Sequence, residues 1–234
     1  MVIIGDPMKG AIIILIKGYD GNKRLGLNKT KSKMLIDALA SDLYKLISET
    51  NNQNNSWDCL IATPDKIFSE RCKKKNMLVL NLNSGDLNSI FVQIQNWTIK
   101  KGYEVLILCA GDIPLLQCGL IEQIKRILSS ELREKGWSLV ICPSRRNGVS
   151  VIGISPPDLV PIKTRKGTAN FHLVEELGPE FSYQLLADIG SYLDLDQQDD
   201  LFDALMLMEK NPIYKDRAVL KILKKIMARD LTTA

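Results

Sequence analysis

Histidine is almost missing from this sequence, since His172 is the only one among its 234 residues. A metal site built from several histidines is therefore excluded, and we expect no nucleophile–histidine triad. The chemistry of this chain has to rest on carboxylates, amides, hydroxyls and cationic side chains.

Paired cysteines are missing as well. The five cysteines are scattered, odd in number and never spaced as C-x-x-C. This spacing argues against a disulfide framework and against a structural zinc site. Several of them lie in apolar runs, where a reduced cysteine behaves as a small hydrophobic residue. We therefore expect a protein of the reducing cytoplasm.

Long apolar runs and strong net charge are the last two absences. The apolar run at residues 11–16 is far too short to span a bilayer and has no small-residue cleavage site after it. It predicts a strand, so we expect no membrane partner. The formal net charge of +4 is too weak to indicate a nucleic-acid partner.

Short apolar runs alternate with amphipathic segments along most of the chain. Strands are predicted at residues 11–16, 58–62, 77–82, 105–108, 137–142, 149–154 and 182–189. Helices are predicted at residues 34–47, 85–101, 120–132, 199–210 and 214–228. The strands at 137–142 and 149–154 are expected to pair as a hairpin. The alternation predicts a three-layer α/β fold with a mostly parallel sheet.

Asp112 follows the most uniformly apolar of these strands. The run at 105–108 is typical of a strand covered on both faces, and Pro114 cannot continue a sheet ladder. In open α/β sheets, ligands bind at the carboxyl ends of the strands. Asp112 is therefore a candidate ligand-binding carboxylate, although a role in a turn or helix cap remains the alternative.

A second acidic group lies at residues 194–200. Asp194 and Asp196 are separated by one apolar residue, so in extended chain their carboxylates point to the same side. Asp199 and Asp200 are explained well by the acidic start of a helix. Asp194 and Asp196 are the better candidates for a shared site.

The loop after the first strand is rich in positive charge and glycine. Its cations are Lys17, Lys23, Arg24, Lys29, Lys31 and Lys33, with Gly18, Gly21 and Gly26 among them. Glycines allow close approach of backbone to a ligand, and a loop that leads into a helix offers N–H groups to phosphate. The loop matches neither the P-loop nor the dinucleotide fingerprint. An ordinary solvated basic loop remains the alternative.

A basic loop together with strand-end carboxylates is what a Mg²⁺-dependent nucleotide site requires. Mg²⁺ is held by one or two carboxylates, with substrate phosphates and water as its other ligands. Cations then neutralise the charge on the departing pyrophosphate. An attacking phosphate, whose second pKa is about 6, is largely ionised at pH 7 and needs no general base.

Four segments resemble motifs of the 2-phospho-L-lactate guanylyltransferase family of the CofC type, which serves biosynthesis of the deazaflavin coenzyme F-420. They are IKGYDGNKRL at residues 16–25, GDLN at 85–88, AGDIPLL at 110–116 and LDLDQQDDL at 193–201. The resemblance extends over residues 11–205 in consistent order. It implies a GT-A-like nucleotidyltransferase fold and transfer of a guanylyl group from GTP to a small phosphorylated acid.

The resemblance also implies roles for residues at the matching positions. The implied Mg²⁺ ligands are Asp112 and Asp194, with Asp196 beside them. The implied phosphate contacts are Lys17, Lys23 and Arg24. Lys17 and Arg24 are also implied to be catalytic. The residues implied to lie near the nucleotide are Asp86, Asn88 and Asp112.

Departures from the family motifs cluster on the acceptor side. The family's G-G-T-N is replaced by residues 147–150, with Val149 in place of Thr, and its G-x-x-S-F-x-x-H by residues 167–174. In the second motif Asn170 replaces Ser and Val174 replaces His. The implied acceptor site is Val149, Ser150, Gly167 and Asn170. Phospholactate, phosphoenolpyruvate and phosphoglycerate all remain open as acceptors.

We expect residues 11–210 to form a nucleotidyltransferase domain. Residues 211–234 are expected to form an amphipathic C-terminal helix, packed on this domain or at the interface of a homodimer.

Two alternative functions remain. A molybdenum-cofactor-type guanylyltransferase is suggested by RLGLNK at residues 24–29, and a non-catalytic nucleotide-binding protein of the same fold by Val149 and Val174.

Overall fold

The structure of the chain is a computed structural model that describes residues 8–19, 23–50, 56–164 and 182–230. The strands are β1 (Gly10–Leu15), β2 (Trp57–Thr63), β3 (Val79–Asn81), β4 (Val105–Ala110), β5 (Ser138–Ser144), β6 (Gly148–Ser155) and β7 (Gln184–Leu185). The helices are α1 (Lys29–Thr50), α2 (Lys66–Lys74), α3 (Leu87–Lys100), α4 (Cys118–Lys135), α5 (Ile189–Tyr192), α6 (Gln198–Lys210) and α7 (Ala218–Asp230). Short 3-10 turns lie at Lys23–Leu25, Arg145–Asn147 and Pro212–Tyr214.

The strands form one sheet in the order β3-β2-β1-β4-β6-β5-β7. β1 pairs in parallel with both β2 and β4, whereas β6 runs antiparallel to β4 and β5. The mostly parallel α/β sheet predicted from the sequence is therefore confirmed, as is the β5–β6 hairpin. β4 lies in the middle of the sheet, as its unbroken apolar run indicates.

Alternate residues of the central strands supply the cores on the two faces of the sheet. Ile12 and Ile14 of β1 pack on one face with α1, α2 and α4, and Ala11 and Ile13 pack on the other face with α3. The side chains of a strand point alternately to its two faces, so a strand covered on both faces has to be apolar throughout. Helices on both faces give the three-layer arrangement.

A third core joins the C-terminal helix to the domain. Leu220 and Leu223 of α7 pack with Leu35 and Leu39 of α1 and with the buried face of α6. Asp42 of α1 caps α7, because its carboxylate accepts hydrogen bonds from the backbone N–H groups of residues 218 and 219 at 3.0 and 2.8 Å. The C-terminal helix thus packs on the domain of its own chain.

Several elements differ from prediction in kind or in extent, and α1 begins five residues earlier than predicted. α2 was not predicted, because only Phe68, Ser69 and Cys72 of its nine residues are buried. The sequence signal that could have predicted this helix is its N-cap, Asp65. Its Oδ1 accepts hydrogen bonds from the amides of residues 67 and 68. The strand predicted at 182–189 is wrong except at Gln184–Leu185, which pairs at the sheet edge, and its end is the helix α5. The final helix begins four residues later than predicted.

No helix in the described part of the chain combines the length and apolarity needed to cross a bilayer.

Candidate active site

The carboxyl ends of β1 and β4 meet at Gly111. The amide of Gly111 donates a hydrogen bond of 3.0 Å to the carbonyl of Leu15, which draws the two strand ends together. A Cβ atom at Gly111 would lie 2.3 Å from Cγ1 of Ile16, so only glycine allows this approach. Asp112 therefore follows directly at the floor of the cleft between the strand ends.

The segment that contains Asp194 packs against Asp112. The amide of Leu195 donates to the backbone carbonyl of Asp112 at 3.0 Å. Leu193 and Leu195 are buried, whereas Asp194 and Asp196 alternate with them and stay half-buried. Their carboxylates line one cavity of about 340 Å³ together with that of Asp112. The structure thus brings together three acidic residues from two distant segments of the sequence.

These carboxylates have few partners. Burial, followed by the nearby charges of Asp194 and Asp196, raises the pKa of Asp112 to about 6, and Lys17 acts in the opposite direction. Burial and Asp196 also raise the pKa of Asp194. Oδ2 of Asp194 accepts from Ser144 Oγ at 3.3 Å, while its Oδ1 is buried and has no partner among the described residues. Like charges beside a buried unpaired oxygen suit a bound cation.

The donor set resembles a metal site completed by substrate. In the described ranges, no three His, Cys, Asp or Glu side chains group closely enough to hold a metal ion by themselves. Mg²⁺ is commonly held by one or two carboxylates plus phosphate oxygens and water. Asp112 and Asp194 fit that mode, since both offer hard oxygen donors to the same cavity.

Lys17 supplies positive charge on the β1 side of the cavity. It is exposed and follows β1 directly, and it lines the same cavity as Asp112. The chain turns at Gly18, whose φ is +97° and whose Cβ, if present, would lie 2.5 Å from Cβ of Asp65. Tyr19 then donates its amide to Asp65 Oδ2 at 3.2 Å. These contacts hold the start of the basic loop at the cavity.

Of the two other predicted phosphate contacts, one lies away from the cavity and the side chain of the other is not described. Arg24 is exposed and lies outside it, beside Gln197, Gln198 and Asp199. Lys23 begins the 3-10 turn Lys23–Leu25, and its side chain lies outside the described structure. The described structure thus groups Lys17, but not Arg24, with the carboxylates.

Asp86 and Asn88 have structural contacts. Asp86 is exposed, and its Oδ1 caps α3 by accepting from the amide of Ser89 at 2.7 Å. Asn88 binds Thr164 on both sides, donating to its carbonyl at 3.1 Å and accepting from its amide at 2.7 Å. Thr164 lines the cavity, so Asn88 shapes the cavity through it.

The predicted acceptor residues are described only in part. Val149 and Ser150 line the cavity at the start of β6. Ser150 is buried, and its hydroxyl donates to the carbonyl of Cys142 at 3.2 Å. Gly167 and Asn170 lie outside the described residues.

Sequence reasoning missed a pair of arginines on the β5–β6 side of the cavity. Arg145 and Arg146 form the turn of the hairpin, and both line the cavity. Both form ion pairs with Asp200, which is fully buried at the start of α6. The expected acidic helix start is also present, because Asp200 forms a capping box with Gln197. The available signal was two consecutive arginines in a hairpin turn.

Comparison with known proteins agrees with this architecture. The model of the guanylyl transferase CofC-like family matches residues 11–227. A putative nucleotide-diphospho-sugar transferase from Desulfovibrio desulfuricans G20 superposes with a TM-score of 0.74 at 20% identity, over 95% of this chain and 96% of the other. A cytidylyltransferase from Leptospira borgpetersenii gives 0.59 at 15% identity, over 97% and 96%.

A third structure was solved as a complex with manganese. This Mycobacterium tuberculosis H37Rv protein gives a TM-score of 0.52 at 14% identity, over 85% of this chain and 98% of the other. At these identities the superpositions show a common fold. No curated protein sequence matches the chain significantly.

The family match covers nearly the whole chain, including all four motif segments and all three cavity carboxylates. The resemblance inferred from those motifs is thereby confirmed. The chain is a nucleotidyltransferase and belongs to the CofC-like guanylyl transferase family.

Proposed function

We propose that this enzyme transfers the guanylyl group of GTP to a small phosphorylated acid and releases pyrophosphate. The acceptor would be 2-phospho-L-lactate, phosphoenolpyruvate or phosphoglycerate, and the reaction would serve coenzyme F-420 biosynthesis in the cytoplasm. The observation that carries the proposal is the convergence of Asp112 and Asp194 in one cavity with Lys17. The family match supports guanylyl transfer within this chemistry.

Asp112 and Asp194 would hold Mg²⁺, with Asp196 beside them. When bound, the cation would neutralise charge on the triphosphate and on the departing pyrophosphate. The unpartnered buried Oδ1 of Asp194 and the raised pKa values of both carboxyl groups support such a ligand role. The manganese complex of the mycobacterial protein supports a divalent ion in this fold.

The reaction would be an exchange of phosphoanhydride bonds. A phosphate oxygen of the acceptor attacks the α-phosphorus of GTP, and a new P–O–P bond forms. The bond from the α-phosphorus to the oxygen shared with the β-phosphorus breaks, and its electron pair leaves with pyrophosphate. The acceptor phosphate is largely ionised at pH 7, so positioning and charge neutralisation by Lys17 carry much of the catalysis.

Val149 favours a second candidate function, a nucleotide-binding protein without transferase activity. It lines the cavity where the family motif has a threonine hydroxyl, so one polar contact to an acceptor is lost. The remaining polar groups of the cavity, above all the carboxylates, favour the enzyme.

Pyrophosphate release tests the proposal and its alternatives together. The purified chain would receive GTP, ATP, CTP or UTP with each phospho-acid, with and without Mg²⁺, and the molybdenum pterin cofactor in a separate arm. We expect release with GTP and one phospho-acid, and only with the metal. GTP binding without release under any condition would support the non-catalytic alternative, and release only with the pterin would support the molybdenum-cofactor function.

A further inference from the structure

Two arginines lie across the cavity from Lys17. The sheet order places β1, which leads into Lys17, on one side of β4, and the β5–β6 hairpin on the other. Arg145 and Arg146 form the turn of that hairpin, and their side chains are 35% and 33% exposed. Asp112, at the end of β4, lies between the two groups of cations along the sheet edge.

Arg146 is held in an unfavourable backbone conformation. Its φ of 62° and ψ of 37° lie in the left-handed region, which residues other than glycine rarely adopt. Such conformations persist where surrounding contacts determine them, and they are concentrated at functional sites. Asp200 contacts both arginines of this turn, and Asp203 adds a contact to Arg145.

Asp200 joins the arginine turn to the segment that contains Asp194. Its Oδ1 accepts from Arg145 Nη1 at 3.0 Å and from Arg146 Nη2 at 2.8 Å, and its Oδ2 accepts from Arg146 Nη1 at 3.0 Å. The same Oδ2 accepts from the backbone amides of Asp196 and Gln197 at 2.9 and 2.7 Å. One buried carboxylate therefore fixes the arginines relative to the predicted metal ligands.

The internal contacts leave hydrogen-bond donors on Arg145 without a partner among the described residues. Arg145 uses Nη1 for both of its carboxylate partners, Asp200 at 3.0 Å and Asp203 at 2.6 Å. A guanidinium carries five N–H donors in a planar fork that matches carboxylate and phosphate geometry. In the part of the chain that the structure describes, the Nε and Nη2 groups of Arg145 have no hydrogen bond of their own.

We infer that Arg145 and Arg146 bind the phosphate and carboxylate groups of the acceptor, and that Asp200 is the positioning residue for both. The inference rests on the proposed function, because phosphoryl transfer keeps the attacking and leaving groups roughly in line on opposite sides of the phosphorus. If Lys17 serves the leaving pyrophosphate on the β1 side, the acceptor occupies the β5–β6 side, where the arginines lie.

Arg145→Lys tests whether Arg145 binds the acceptor, since the substitution keeps the positive charge and removes the planar fork of guanidinium N–H donors. Phosphoenolpyruvate and 2-phospho-L-lactate would be titrated calorimetrically into protein loaded with Mn²⁺ and a non-hydrolysable GTP analogue. We expect the acceptor affinity to fall about ten-fold or more, with the affinity for the GTP analogue unchanged. Arg126→Lys, an exposed arginine of α4, is the matched control.

The result would overturn the inference if acceptor affinity were unchanged in Arg145→Lys, if both ligands weakened equally, or if the unmodified protein bound neither acid. Because the measurement needs no turnover, it is independent of pyrophosphate release. Arginine-dependent binding of an acid without any release would contradict the proposed function and leave the inference standing.

A double-mutant cycle tests the role of Asp200. As a single substitution, Asp200→Asn should weaken acceptor binding. Introduced into Arg145→Gln, it should weaken acceptor binding by less than about a further two-fold. A purely structural role predicts that the two effects multiply, which would contradict the inference. Asp203→Asn removes only the half-exposed partner of Arg145 and should give a smaller loss of acceptor affinity. This variant keeps the test decisive if Asp200→Asn does not fold. Glu209→Gln on the same helix is the control.

Discussion

Asp194 and Asp200 belong to the same short segment, yet the protein treats their carboxylates in opposite ways. Asp200 is fully buried and accepts from two arginines and two backbone amides. Although burial acts against ionisation, the hydrogen bond from Arg146 and those amides hold the pKa of Asp200 below its usual range. Asp194 is less buried, has one hydroxyl donor and a buried unpaired oxygen, and its pKa is raised.

The difference shows that hydrogen-bond donors, rather than burial, decide whether a carboxylate is stabilised in its ionised form. Asp200, whose oxygens are fully paired, is the framework carboxylate, and Asp112, Asp194 and Asp196 are the cavity carboxylates. A fully paired carboxylate stabilises its ionised form and fixes its neighbours. Nearby carboxylates with few donors, such as Asp112 and Asp194, destabilise the folded chain when they are ionised, and a bound cation would relieve that cost.

The largest effect is expected from removing a cavity carboxylate. Asp112→Asn should reduce pyrophosphate release at least about a thousand-fold, because one of the two predicted cation ligands and its charge are lost. A circular dichroism spectrum like that of the unmodified protein would show that the fold is intact. Asp216→Asn, at an exposed position outside the cavity, should retain full activity. Near-normal product formation by Asp112→Asn would defeat the assignment.

Removing the framework carboxylate should instead reduce stability. Asp200→Asn leaves two arginines and two amides without their charged partner, and we expect the free energy of unfolding to fall by about 2–3 kcal/mol. Urea unfolding at pH 7 measures this. Glu209→Gln on the same helix, where Glu209 pairs with Lys224 at the surface, should change stability by less than about 1 kcal/mol. Equal midpoints for the two variants would contradict the distinction.

The same Asp112→Asn variant should be more stable than the unmodified protein when no metal is present. Since the pKa of Asp112 rises from 3.8 in the unfolded chain to about 6 in the folded one, its ionised form destabilises the fold above pH 6. We expect a gain of about 2 kcal/mol at pH 7, which shrinks as pH falls from 6 towards 4. Urea unfolding in EDTA at both pH values checks this; a loss of stability at pH 7 would be inconsistent with it.

The smallest effect is expected at the exposed cap of α3. Asp86→Ala removes the acceptor for the amide of Ser89 and should lower the urea midpoint of unfolding slightly, by less than Asp200→Asn does. Asn96→Ala, at an exposed interior position of the same helix, is the control. The KM for GTP, measured on the same variant, tests whether this carboxylate also contacts the nucleotide. An unchanged midpoint of unfolding in Asp86→Ala would show that the cap on α3 does not contribute to stability.

The regular elements were predictable where burial leaves a pattern in the sequence. β4 is apolar at nearly every position because both faces are covered, and the end of its apolar run led to Asp112. α2 has only three buried residues, so its pattern was too weak to predict a helix. β7 pairs through only two residues at the sheet edge, and both its own Leu185 and the apolar Ile189 that follows are exposed.

The sequence alone determined the mostly parallel α/β sheet and the acidic residues at its carboxyl edge, since the periodicity of a strand and the residues that end it are local properties. Only the tertiary structure decided which polar side chains meet. Asp199 and Asp200 look alike in sequence, yet one is exposed and the other is buried against two arginines of a distant hairpin. Such pairing depends on how α6 packs beside the β5–β6 turn, and no local pattern encodes that geometry.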